Sequence, residues 1–294
     1  MTRRAYIAAT AILWLIPSIC LAITRTFVSA SSGNDGNQCT LAAPCRTFTA
    51  ALAQTDSKGE IVALDSGGYG TVTIDRSVTI TAPAGIYAAM APSTGTAITV
   101  AAGSSDIVTL RGLVVNGLGS AYRGIDFTSG SQLHVEHCLI EGFTNAALNG
   151  SPDNSDLYVI DTVAQNNAYG FIYGTLGANG ARGIFVRSRA ERSGYGFAPS
   201  ANSSATIIDC VAVGNGAGFY SGATGSSVMN VDRSVSAYNT YGVETFGVSR
   251  IRNSLITANT TGIATFTGST ISLGGNSVTG NGTDGSFNGS VGQQ

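Results

Sequence analysis

The chain has 294 residues, a formal net charge of −2, 39 glycines and only 11% charged residues. Globular domains carry about 25% charged residues and about 7% glycine, so this composition speaks for short strands joined by tight turns and against long helices. There is no basic excess, so nucleic acid is not an expected partner.

The N-terminus, MTRRAYIAATAILWLIPSICLA, opens on Arg3 and Arg4, runs through apolar residues from Tyr6 to Ile16 and is broken by Pro17. A basic start, a short apolar stretch and small residues up to Ala22 form the pattern of a secretory signal peptide over residues 1–22. The stretch is short for the ~20 residues of a membrane span. The expectation is cleavage, a secreted or periplasmic location, and no membrane association after signal removal.

In an oxidising compartment nearby cysteines pair. Cys39 and Cys45 are therefore expected to close a short disulfide loop, worth roughly 2–2.5 kcal/mol by the chain-entropy relation. A zinc site would need two more ligands at motif spacing, and His134 and His137 lie far away in sequence. The following CRTFTAALAQT reads as a short amphipathic helix with Phe48, Ala51 and Leu52 on its apolar side. Residues 23–60 thus form a lead-in strand, a disulfide loop and a cap helix that cover the open end of a repeat array.

From about residue 60 the chain repeats. One position recurs at Leu113, Cys138, Thr162, Arg189, Cys210, Ser234, Ser254 and Asn276, small or polar after the first. Three residues before this anchor the side chain is always apolar. Five after it asparagine dominates, at Asn167, Asn215, Asn239, Asn259 and Asn281. Such an asparagine column suits a turn in which each amide bonds the neighbouring coil and takes a left-handed backbone. Glycine followed by an apolar residue often comes next, as in Gly170-Phe171 and Gly218-Phe219. Two or three short strands per repeat of ~20–25 residues describe a solenoid, here over 61–283, followed by a polar tail 284–294 expected to fray. Cys138 and Cys210 share the anchor position three coils apart, roughly 14 Å at ~4.8 Å per coil, and are expected to be free.

Stacked coils of this kind, with an asparagine turn and the lead-in RTFVSASSGNDGNQCTLAAPCRTFTAAL, resemble right-handed parallel β-helix proteins of the pectin-lyase-like type. The resemblance covers nearly all of the chain after residue 22 and implies an all-β, single-domain fold with a short N-terminal helical cap. It does not imply an activity, because that fold hosts lyases, hydrolases, epimerases, adhesins and proteins with no known activity. The polygalacturonase-type N-T-D, D-D, G-H-G and R-I-K set is missing.

Strand alternation places the columns four and two residues before the anchor on the outside. The first of these contains His134, Tyr158, Phe185 and Arg250, which read as a binding face: aromatic rings for sugars and arginine for acidic groups. The catalytic alternative is Asp161 and Asp209, two coils or roughly 9.6 Å apart at ~4.8 Å per coil, within the range for inverting glycoside hydrolysis, with Arg187 beside them. Strict alternation points both carboxylates inward, so they reach solvent only if the strand has already turned. Calcium is the one cofactor entertained, at Asp153, Asn154 and Asp156 or at Asn34, Asp35 and Asn37, although neither run alone supplies six to eight oxygens. No other metal site is expected. The sequence reading favours a noncatalytic protein binding a polysaccharide or cell-envelope glycan. A polysaccharide lyase or glycoside hydrolase acting on an acidic polymer and a structural or adhesive solenoid are the alternatives.

Overall fold

The structure, a computed structural model, describes residues 23–175, 177–222 and 226–291, so the segment 1–22, expected to be a signal peptide, lies outside the described residues. The chain visits three parallel sheets in turn and climbs one strand per coil. Among the described residues, the first sheet has 12 strands, from Arg25–Val28 to Gly289–Ser290. The second has 10 short strands and the third 9. No helix among them is long and apolar enough to cross a membrane.

From His137 onward to Ala258 each coil turns twice on a single left-handed residue. Between the first and second sheets these are His137, Asp161, Arg187, Asp209, Arg233 and Asn253, with φ between 46° and 55°. Such a backbone costs a non-glycine residue roughly 1–2 kcal/mol. The next residue offsets this. The hydroxyls of Thr162, Ser188, Ser234 and Ser254 donate to the carbonyl two residues back at 3.0, 3.1, 2.8 and 2.7 Å. Those of Thr162 and Ser234 also accept the backbone N–H of the preceding coil's anchor, Cys138 and Cys210. The thiols of Cys138 and Cys210 take the same donor place, and both cysteines are free and buried. From Cys138 to Ser254 a small side chain with a donor fills the anchor, while Leu113 occupies it in the coil before.

The second bend uses Asn166, Arg192, Gly214, Tyr238, Ala258 and Gly280 as its left-handed residues. This corrects the expectation that the ladder asparagines take that conformation themselves; each stands one residue later. Their Oδ1 atoms accept from the preceding coil: Asn239, Asn259 and Asn281 each receive the backbone N–H of the asparagine before, at 2.8, 2.9 and 3.0 Å. Asn167 and Asn215 receive those of Phe143 and Ser193. At the end of the row Asp284 Oδ1 accepts from both the backbone N–H and the Nδ2 of Asn281.

The third sheet explains the Gly-Phe pairs. A Cβ on Gly170 or Gly196 would stand 2.5 Å from the carbonyl oxygen of the glycine in the next coil. The phenylalanines that follow stack inside: Phe171 on Phe197 at 5.3 Å and Phe197 on Phe219 at 5.7 Å.

Three further sequence expectations are overturned. Strand pairing sets Val163 opposite Arg189, so the anchor of that coil is Ser188 and not Arg189. A slip of one residue exchanges the faces of a strand. Phe185, read as an exposed sugar platform, is 1% exposed and packs 5.7 Å from Phe171. The tail from 284 does not simply fray either: Gly289–Ser290 pairs with Ser269–Ser272, and Phe287 packs against the core.

At the other end, the helix α1 (Phe48–Gln54) buries Phe48, Ala51 and Leu52 as expected. Thr47 caps it by accepting from Ala50 N at 3.1 Å. The Cys39–Cys45 disulfide, with Cα atoms 4.6 Å apart, lies just before it.

Candidate functional site

The outer face of the first sheet carries the column Thr109, His134, Tyr158, Ile184, Thr206, Asn230, Arg250. His134 and Tyr158 stack with centroids 4.5 Å apart and planes 10° from parallel. Burial holds the His134 imidazole below its ordinary pKa, against the pull of Glu136. Beyond Tyr158 the surface turns aliphatic, with Ile184 and the neighbouring column Ile160, Val186, Ile208. Farther along, Arg250 sits with Thr206, Asn230, Asp232 and Arg252 around a shallow depression. No hydrogen bond or ion pair engages the Arg250 guanidinium among the described residues.

Asp161 and Asp209 do face outward, because they are the left-handed bend residues of their coils. Arg187 stands between them in the same column. It donates to both carboxylate oxygens of Asp161, at 2.8 and 2.7 Å. Arg233, one coil on, does the same to Asp209 at 2.9 and 3.2 Å. His137 Nδ1 extends the row, 3.9 Å from Asp161. The Arg187 hydrogen bond holds the Asp161 carboxyl below the usual carboxylate range. A glycosidase acid needs the opposite shift, and a base needs a carboxylate free to receive a proton. Nearby, Arg189 and Arg192 both engage Glu191. The column is an alternating charge ladder.

The oxygen-rich turns considered for calcium make internal contacts. Asp35 accepts from the backbone N–H groups of Arg46 and Thr47 and from the Thr47 hydroxyl. Asp153 accepts the backbone and side-chain amides of Asn179 across the 174–183 insertion. Among the described residues no group of three or more His, Cys, Asp or Glu side chains is placed to share a metal ion.

The third sheet carries a feature absent from the sequence reading. On its outer face Tyr169 stacks on Tyr195 at 5.4 Å, and Tyr195 on Tyr220 at 4.3 Å with planes 13° apart. The row continues to Phe246, 5.9 Å from Tyr220 but tilted 55°, and then to Phe266, 5.0 Å and 9° from Phe246. Tyr241 meets Phe266 edge-on. Stacked rings close their facing surfaces to a ligand. The row changes tilt between Tyr220 and Phe246, which are both partly exposed, and Phe266 is 52% exposed.

A search of solved structures matches a crystal structure of pectate lyase Pel9A, with a TM-score of 0.55 and 16% sequence identity over 88% of this chain and 72% of that one. The fold is the pectin-lyase-like, right-handed parallel β-helix. No family model matches the sequence, and the search of curated proteins returned no match. At this identity the likeness carries the fold alone. This β-helix presents three chemical features of its own: a charge ladder at the first bend, a guanidinium at Arg250 and an aromatic row on the third sheet.

Proposed function

We propose that this protein is an exported, noncatalytic β-helix that binds glycans along an outer strand face. The observation that carries the reading is the aromatic row Tyr169, Tyr195, Tyr220, Phe246, Phe266. It spans five successive coils on the outside and so has no part in packing the core. Aromatic rings with hydroxyl edges suit ligands that are apolar on one side and polar on the other, and a linear polymer lying along the axis would meet a ring edge at each coil. Pairing of both candidate carboxylates with arginine supports binding over hydrolysis. The N-terminal leader pattern and the Cys39–Cys45 disulfide support an oxidising, extracytoplasmic location.

Arg250 favours a second reading, an enzyme acting on an acidic polysaccharide, because a free guanidinium in a depression suits a uronate carboxylate. One experiment separates the two. The protein is run through gels containing acidic and neutral polysaccharides, with and without calcium, while release of new chain ends is measured. Retardation without new ends is the expected result. New chain ends from any polymer would replace the binding reading with the enzymatic one, and absence of retardation by every polymer would overturn it in favour of a structural solenoid.

A further inference from the structure

Glu244 lies in the outward column of the third sheet, after Tyr220 and before Ala264. It is half-buried. No hydrogen bond or ion pair reaches its carboxylate among the described residues. Half-buried carboxylates are ordinarily paired, and the rest of this face follows that rule: Asp126 receives Arg123 at 2.9 Å and Asn149 at 2.8 Å. Around Glu244 the neighbours are aromatic. Tyr220 precedes it in the column, Tyr241 opens its own strand (Tyr241–Thr245), and Phe246 follows that strand. Tyr195 is near enough that its hydroxyl, raised first by burial, is raised further by the Glu244 charge. Burial pushes the Glu244 carboxyl itself up. The carboxylate thus stands beside Tyr220 and Phe246, two partly exposed rings tilted 55° to one another.

A carboxylate without a partner, set among ring surfaces, meets both needs of an ammonium group: an opposite charge and π-faces for a cation. Arg123 and Asp126 offset one another, so Glu244 sets the sign of this face. We infer that Glu244, with Tyr220 and Phe246, forms a subsite for the protonated amine of an amino-sugar glycan. This rests on the glycan-binding reading and gives it a ligand class. Uronate polymers are disfavoured here by the same charge.

The test is calorimetric titration of the protein with glucosamine oligomers, with N-acetylglucosamine oligomers of equal length and with galacturonate oligomers, buffered where the amine is protonated. The amine form should bind about tenfold more tightly than its acetylated counterpart, the scale of one cation–π contact with a charge partner. Glu244→Gln should erase that preference and leave binding of the acetylated oligomer unchanged; Glu244→Ala, compared by thermal melting with the parent, should behave alike. Equal binding of the two forms by the parent protein, or a preference that survives in both variants, overturns the amine subsite and leaves glycan binding standing. Absence of binding to all three oligomers overturns the subsite, and with the gel experiment also negative it removes the glycan reading as well.

Discussion

On the bend beside the first sheet, Asp161, Arg187, Asp209 and Arg233 alternate in sign and close on one another; on the third sheet Tyr169, Tyr195 and Tyr220 are of one kind and stack. Both rows obey the same geometry. A parallel, in-register coil sets every side chain against its counterpart about 4.8 Å away, so each column is mostly in contact with itself. Like charges repel at that spacing and like rings attract. A charged column must alternate, and once it alternates its groups are occupied. An aromatic column can repeat, and it leaves ring edges and the surfaces at its breaks. Charge on a solenoid face is therefore a weak sign of function, while an unmatched group such as Glu244 or Arg250 is a stronger one.

The sharpest way to break this picture is at the boundary between inside and outside. Phe185→Ala should destabilise the protein by about 3–5 kcal/mol, as truncation of a buried phenylalanine does. Chemical denaturation would read this, and a change near zero would return Phe185 to the exposed face. The cap supplies a third kind of column, a charge met by neutral donors. Asp65 accepts from the backbone N–H of Ala30, the Tyr69 hydroxyl and the Ser31 hydroxyl. Burial pulls its carboxyl up, but these bonds outweigh it and hold the pKa well below the carboxylate range. Its contribution is then complete above about pH 4 and drains away as the pH falls toward the lowered value. Melting curves of Asp65→Asn should lose that acid-side slope. Loss of the Cys39–Cys45 bridge in a double serine variant should cost the same end about 2 kcal/mol, and an unchanged melting temperature would show that the loop is held without it.

Smaller effects test the outer faces themselves. Replacing Tyr195 and Tyr220 together by alanine should lower stability by only about 1 kcal/mol, the scale of a stacked pair, while abolishing retardation in polysaccharide gels. Retained binding would move the site to the first sheet. Arg187→Ala should alter neither binding nor melting detectably, since exposed ion pairs contribute little. A loss of chain-end release with this variant would instead restore Asp161 and Asp209 as catalytic groups.

Most of the architecture was legible because, from Cys138 on, the anchor and the ladder asparagine sit at bends closed by small donors and amides. The disulfide and the cap helix followed from local spacing. One coil was misread because Ser188 and Arg189 both satisfy a small-or-polar rule, and an insertion over 174–183 blurs the count. A one-residue error then carried Phe185 and Val186 to the wrong faces. The aromatic row escaped for a different reason. Tyr recurs at one offset from the anchors Thr162, Ser188 and Ser234, giving Tyr169, Tyr195 and Tyr241, a signal that was present. But the stack leaves that column for Tyr220, Phe246 and Phe266, which lie at other offsets. Side chains leaning across columns are set by packing, which periodicity does not encode.

The asparagine ladder has a direction: each coil donates and the next accepts. Such a chain of bonds is in principle open to growth, since its last donors would welcome an asparagine from another molecule as readily as one of their own. Asp284 answers them from three residues away, with a single oxygen in the place of the missing amide. It stands where a chain terminator stands in a polymer, closing the row on a side chain that carries no amide to pass on.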